Sequence, residues 1–202
     1  MNRREALKIF AGIGVSALIP FGFSSFFKTD NKETKYIIGF GGAATRILCE
    51  NSDCLKAETI AVSSSLCGKV LNFIETPNYR QQLSEQEFDG KIILPKQLKT
   101  ILSEKNNFIL FAGLGGATGS HLLLKSAQFL KKRNKTFTIV CSLPFKFEGK
   151  RRNYFARNIF NDLQEIQKCK LVDLENIHQQ RGSVSVKKAF EIADEQIFSL
   201  VG

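Results

Sequence analysis

Phe108–Ser120, FILFAGLGGATGS, is the stretch whose reading decides the fold. Phe108, Ile109, Leu110, Phe111 and Ala112 make a short continuous apolar run, which suits a strand covered on both faces. Gly113-Leu-Gly-Gly-Ala-Thr-Gly-Ser follows, and then His121-Leu-Leu-Leu-Lys-Ser-Ala-Gln-Phe-Leu with helical spacing. A strand that turns through glycines into a helix start gathers free backbone N–H groups at the positive end of the helix dipole, and such a site binds phosphate. Glycine is needed because side chains would hold the oxygens away from the backbone, and because such loops visit positive φ. Four glycines within seven residues favour this reading over a plain strand–loop–helix connection.

Working outward, Tyr36–Leu48 (YIIGFGGAATRIL) repeats the order strand, glycine turn, helix. A lone G-x-G-G of this kind also opens Rossmann units. Ala57–Ser63 reads as a second strand that runs into Ser63-Ser64-Ser65. Thr76–Tyr79 is a turn, Gln81–Asp89 is polar and acidic, Lys91–Pro95 reads as a short strand and Pro95–Lys105 as a helix. Lys135–Leu143 is a clear strand, Asn153–Lys168 a helix and Cys169–Leu174 a further strand. Over Gly182–Gly202, Val186, Ala189, Phe190, Ala193, Ile197 and Leu200 recur at three and four, which predicts a helix. Recurring strand–glycine turn–helix units imply parallel crossovers, so the expected fold class is three-layer α/β, a mainly parallel sheet with helices on both faces. Phosphate would then sit at the strand C-termini, in the crevice between Gly41–Ala43 and Gly115–Gly119.

The 202 residues suit one domain with an added terminal segment, and the apolar (43%) and charged (24%) fractions are those of a globular chain. A net charge of +10 suits anionic partners without choosing among them. Nucleic acid is not expected, because there is no Trp and no basic stripe interleaved with aromatics. The five cysteines are odd in number and show no C-x-x-C spacing, so neither a disulfide framework nor a zinc site is read from them.

Residues 1–35 form a separate segment, and the folded domain is expected over 36–202. Arg3-Arg4 precedes Ile9–Phe27, nineteen residues without a charge. This resembles a twin-arginine export signal. The same stretch is long enough to span a bilayer at about 1.5 Å per residue, and a peripheral helix on the membrane is the third reading. Membrane association through this segment is the expectation, on either face.

Gly115-Gly116-Ala117-Thr118-Gly119-Ser120-His121 resembles the signature loop of the tubulin/FtsZ family, GGGTGTG in its bacterial form, with three substitutions. Pro144–Arg152, PFKFEGKRR, is similar to the family segment PFxFEGxxR and stands in the right place after the loop. Gly39, Gly41 and Gly42 match the family's first phosphate loop, GxGGxGxN, whereas Ala44 replaces its next glycine and Thr45-Arg46 its polar pair. Serines 63–65 stand where the family carries Thr-Asp, and the third glycine-rich loop is not recognisable. The resemblance implies GTP or GDP as ligand, with Mg²⁺, and phosphate contacts from Gly41, Gly42, Ala43, Gly115, Gly116, Ala117, Thr118 and Gly119. It assigns ribose hydroxyls to Glu148, the nucleotide side to Arg152, and the base to Asn176, Phe190 and Asp194. Phe190 would stack on the base. Asp194, four residues on along the same helix face, would accept guanine N1–H and N2–H₂.

The family's acidic loop after the central helix, which completes the site of the next subunit, and its second domain have no counterpart in this sequence. Autonomous hydrolysis is therefore not expected. The leading expectation is a truncated FtsZ-like guanine-nucleotide-binding protein acting as an accessory or degenerate partner of a full-length FtsZ-like protein. The alternative is a pseudo-GTPase scaffold that keeps the fold for protein contacts. An NAD-type Rossmann enzyme ranks last, because its second strand would end on an acidic residue.

Overall fold

The apolar runs form a single sheet. The computed structural model describes residues 34–51, 54–55, 57–65, 72–79, 92–180 and 185–201; the N-terminal apolar segment, the run 81–89 and residues 182–184 lie outside the described residues. The strands are β1 (Tyr36–Phe40), β2 (Glu58–Ser63), β3 (Asn72–Glu75), β4 (Phe108–Gly113), β5 (Phe137–Leu143) and β6 (Cys169–Asp173). All are paired in parallel, in the order β3-β2-β1-β4-β5-β6. The helices are α1 (Gly41–Asn51), α2 (Lys96–Glu104), α3 (Ala117–Lys132), α4 (Lys150–Ile166), α5 (Leu174–Gln180) and α6 (Val186–Val201).

Because strand side chains alternate, each strand feeds two cores. Ile38, Phe40, Leu110, Ala112 and Ile139 point into one, where they meet Leu98 and Leu102 of α2, Leu122 and Leu123 of α3 and Leu163 of α4. Ile37, Ala61, Ile109, Phe111 and Val140 point into the other, with Ile47 of α1, Ile177 of α5 and Ala193 and Ile197 of α6. The result is three layers, with α2, α3 and α4 on one face of the sheet and α1, α5 and α6 on the other. Cys141 and Cys169 are buried free thiols of the first core.

The order reverses between β1 and β4. Right-handed crossovers running in opposite directions place their helices on opposite faces, so the C-terminal ends of β1 and β4 diverge into a crevice. The register aligns Phe40 with Ala112, so both chains leave the sheet at the same level. Two glycine turns therefore meet at the switch point.

Local expectations change at several points. Residues 92–95 belong to none of the six strands, although Ile92 and Leu94 are buried and Ile93 is 66% exposed. This segment alternates because it lies over the core ahead of α2, and Pro95 lacks the N–H a ladder requires. Asn72–Glu75 (NFIE) is instead the short edge strand. Helix α3 begins at Ala117 rather than His121, and α4 at Lys150 rather than Asn153, because glycine and polar residues in a first turn conceal the apolar spacing. Leu174–Gln180 is helical, so Asn176 lies on a helix. No helix among the described residues is long and apolar enough to cross a membrane.

Candidate functional site

The two glycine turns interlock. Gly41 opens α1 with φ +80°, and a Cβ there would lie 3.1 Å from Gly119 Cα. A Cβ on Gly119 would lie 2.8 Å from the carbonyl oxygen of Phe40. Only glycine at both positions lets the starts of α1 and α3 come this close. The first four N–H groups of each helix have no intrahelical partner, so the amides of Gly41–Ala43 and Gly116–Gly119 emerge beside one another. At Gly42 and Gly116 a Cβ would meet nothing within 4 Å, which marks open space over the backbone. The helix starts carry no acidic residue in their first turns. Chemically this is an anion cradle built from two helix dipoles.

The loop is held from within. The Gly115 N–H donates to the buried Ser120 Oγ at 3.0 Å, and the Leu114 N–H donates to the Ser142 carbonyl at 2.8 Å. Leaving such a buried donor unmade would cost about 1–3 kcal/mol. Gly115 therefore contributes shape rather than an N–H for a ligand, with φ +94°. Ser120 was not among the expected site residues; its signal was its place in the signature loop. The Thr45 hydroxyl likewise donates inward, to the Gly41 carbonyl at 3.0 Å.

Glu148 and Arg152 lie beside the loop. A Cβ on Gly115 would lie 2.7 Å from Arg152 Cγ, so the arginine stem crosses the loop backbone. Glu148 Oε1 accepts the Phe145 N–H at 2.8 Å, capping the 3₁₀ turn Lys146–Glu148, while Oε2 pairs with Arg152 Nε at 3.2 Å. Each carboxylate oxygen keeps a second lone pair, so the acceptor capacity for a hydroxyl survives.

Helix α6 brings Phe190 and Asp194 together. Phe190 is half-buried and meets Phe145 edge-to-face at 4.9 Å between ring centroids. Asp194 Oδ2 lies 2.7 Å from Arg46 Nη2 of α1, and Arg46 Nη1 lies 3.6 Å from Glu50. Burial pushes the Asp194 carboxyl up, and the hydrogen bond and charge of Arg46 pull it back without cancelling the rise. Desolvation works against the Arg46 guanidinium, but Asp194 and Glu50 outweigh it and raise it further. Asn176 is exposed on α5 and lines neither cavity at this flank. The structure thus gathers Gly41–Ala43, Gly115–Gly119, Glu148 and Arg152 around one crevice, places Phe190 and Asp194 beside it, and brings Asn176 into neither cavity that Phe190 and Asp194 line.

No family model and no curated protein sequence matches the chain. Solved structures do. The empty FtsZ dimer of M. jannaschii is similar with a TM-score of 0.68 at 19% identity, over 96% of this chain and 55% of that one. GDP-bound CetZ1 from Haloferax volcanii gives 0.60 at 18%, over 81% and 58%. The GTPγS-bound protofilament of CetZ2 from the same organism gives 0.56 at 16%, over 81% and 55%. The chain spans about half the length of these structures. Its fold is that of the tubulin/FtsZ nucleotide-binding domain.

Proposed function

We propose that this chain binds guanine nucleotide, GTP or GDP, across the C-terminal ends of β1 and β4. The observation that carries the reading is the interlock of two glycine-lined helix starts at the switch point, with open space above Gly42 and Gly116. The phosphates take the amides of Gly41–Ala43 and Gly116–Gly119, Glu148 accepts ribose hydroxyls, and Arg152 adds positive charge beside the loop. Phe190 and Asp194 face the base, Asp194 accepting the two donors that guanine presents and adenine lacks. Mg²⁺ would neutralise charge as an ion held by the phosphates themselves, since no cluster of His, Cys, Asp or Glu among the described residues could hold it. Solved structures of similar fold carry GDP and GTPγS, and one is a protofilament. From the sequence reading we further propose that the chain acts as an accessory component beside a full-length FtsZ-like protein, held at a membrane through Ile9–Phe27.

The test is calorimetry of the 202-residue chain with GTP, GDP and ATP in the presence of Mg²⁺, alongside Asp194→Ala. Guanine-selective binding, lost in the variant, is expected. Absence of binding at millimolar nucleotide defeats the reading and favours a scaffold that keeps the fold without nucleotide. The observation on that side is the Arg46–Asp194 pair, which closes the base flank down to a cavity of about 60 Å³.

A further inference from the structure

Two cavities meet at one ion pair. The inner cavity, about 60 Å³, is lined by apolar side chains that include Phe111, Val140 and Ile197. The outer groove, about 710 Å³, is lined by Glu50, Lys187, Glu191 and Glu195 among others. Arg46, Phe190 and Asp194 line both, so the 2.7 Å pair between α1 and α6 forms the partition. The inner cavity is small beside the roughly 300–1,000 Å³ of ligand pockets. A purine has no room in it while the partition stands.

Arg46 also occupies the acceptor that a guanine would use. A guanidinium presents a fork of N–H donors, as the N1–H and N2–H₂ edge of guanine does, and it carries a full charge besides. An alternative partner lies within reach on the solvent side: Glu50, one turn along α1 and 3.6 Å from the other terminal nitrogen of the same guanidinium. Arg46 thus has two carboxylate partners, one half-buried across the partition and one exposed.

We propose that Arg46 is a gate residue that competes with the base for Asp194, swinging from Asp194 to Glu50 when nucleotide enters. This rests on the guanine-nucleotide reading above. The gate lowers guanine affinity, since the occupied acceptor must first be released. Adenine must open the same partition but makes no use of the acceptor that this frees, so the released Asp194 rewards guanine alone.

The experiment is GDP and ADP calorimetry on the 202-residue chain and on Arg46→Met, Arg46→Gln and Arg46→Lys. Both neutral variants should bind GDP about tenfold tighter than the parent, a difference of about 1.4 kcal/mol, with any ADP binding strengthened in parallel because the partition is gone for both purines. Arg46→Lys keeps a cation opposite Asp194 and should stay within about twofold of the parent. Using two neutral side chains of different polarity keeps a packing defect in one from passing as the result. Equal or weaker GDP binding by both neutral variants, with the parent binding GDP, overturns the gate and leaves the guanine reading standing. A gain in Arg46→Lys as large as in Arg46→Met also overturns it, because charge would then not be the cause. Absence of GDP binding by all four proteins overturns the gate together with the nucleotide reading.

Discussion

Asp194 holds its proton more tightly in the folded chain than an ordinary carboxyl does, above the usual 3.8, with burial as the largest cause. The sign of its contribution follows. A carboxyl raised by folding stabilises the fold fully below its unfolded value and loses that contribution as pH rises through the folded value. In urea melts, the stability of the parent relative to Asp194→Asn should therefore fall as pH rises past about 4, the unfolded value. A difference that moved in the parent's favour as pH rose would contradict the geometry. The spacing of Phe190 and Asp194 along one helix was legible in the sequence, since four residues return to the same face. That Arg46 faces Asp194 was not legible, because the two stand on helices from opposite ends of the domain. The polar residues that brace the phosphate loop were half legible: Ser120 stands inside the signature, but its hydroxyl turns inward to Gly115.

Among the elements, the two glycine turns separate fold from binding. Gly119→Ala would drive a Cβ to 2.8 Å from the Phe40 carbonyl, a backbone atom that cannot move aside cheaply. Overpacking of this kind costs about 1–3 kcal/mol, so the melting temperature should drop. Gly42→Ala meets nothing within 4 Å and lies inside α1, where alanine suits the helix better than glycine. It should leave the melting temperature level or raised, yet weaken GDP binding, because the new methyl stands over the amides assigned to phosphate. Gly42→Ala protein that binds GDP as tightly as the parent would move the phosphates elsewhere. Glycine-rich turns were legible because few sequences need so many residues without a Cβ. Asn72–Glu75 was not, since a four-residue edge strand beginning with Asn carries little pattern. Residues 92–95 misled for the converse reason: burial alternates wherever an extended chain crosses a core, paired or not.

Across the whole molecule, the sheet should set a gradient of local stability. β1, β4 and β5 are flanked on both sides and covered by both helical layers, whereas among the described residues β3 ends the sheet, with Asn72 and Glu75 exposed. Amide hydrogen exchange should show β1, β4 and β5 opening with global unfolding and β3 through local fluctuations at lower free energy. Protection in β3 equal to that in β4 would indicate that the sheet edge is covered in solution.

The sequence by itself determined the layer architecture, the parallel strands and the two glycine turns, because each follows from a local period or a local steric need. The likeness to the tubulin/FtsZ nucleotide-binding domain was equally readable, in two short motifs whose order along the chain matched. Only the tertiary structure decided which charges meet. The interlock of Gly41 with Gly119, the crossing of Arg152 over Gly115 and the pairing of Arg46 with Asp194 all join segments distant in sequence. Such contacts depend on strand order and helix docking, which no single stretch of the chain specifies.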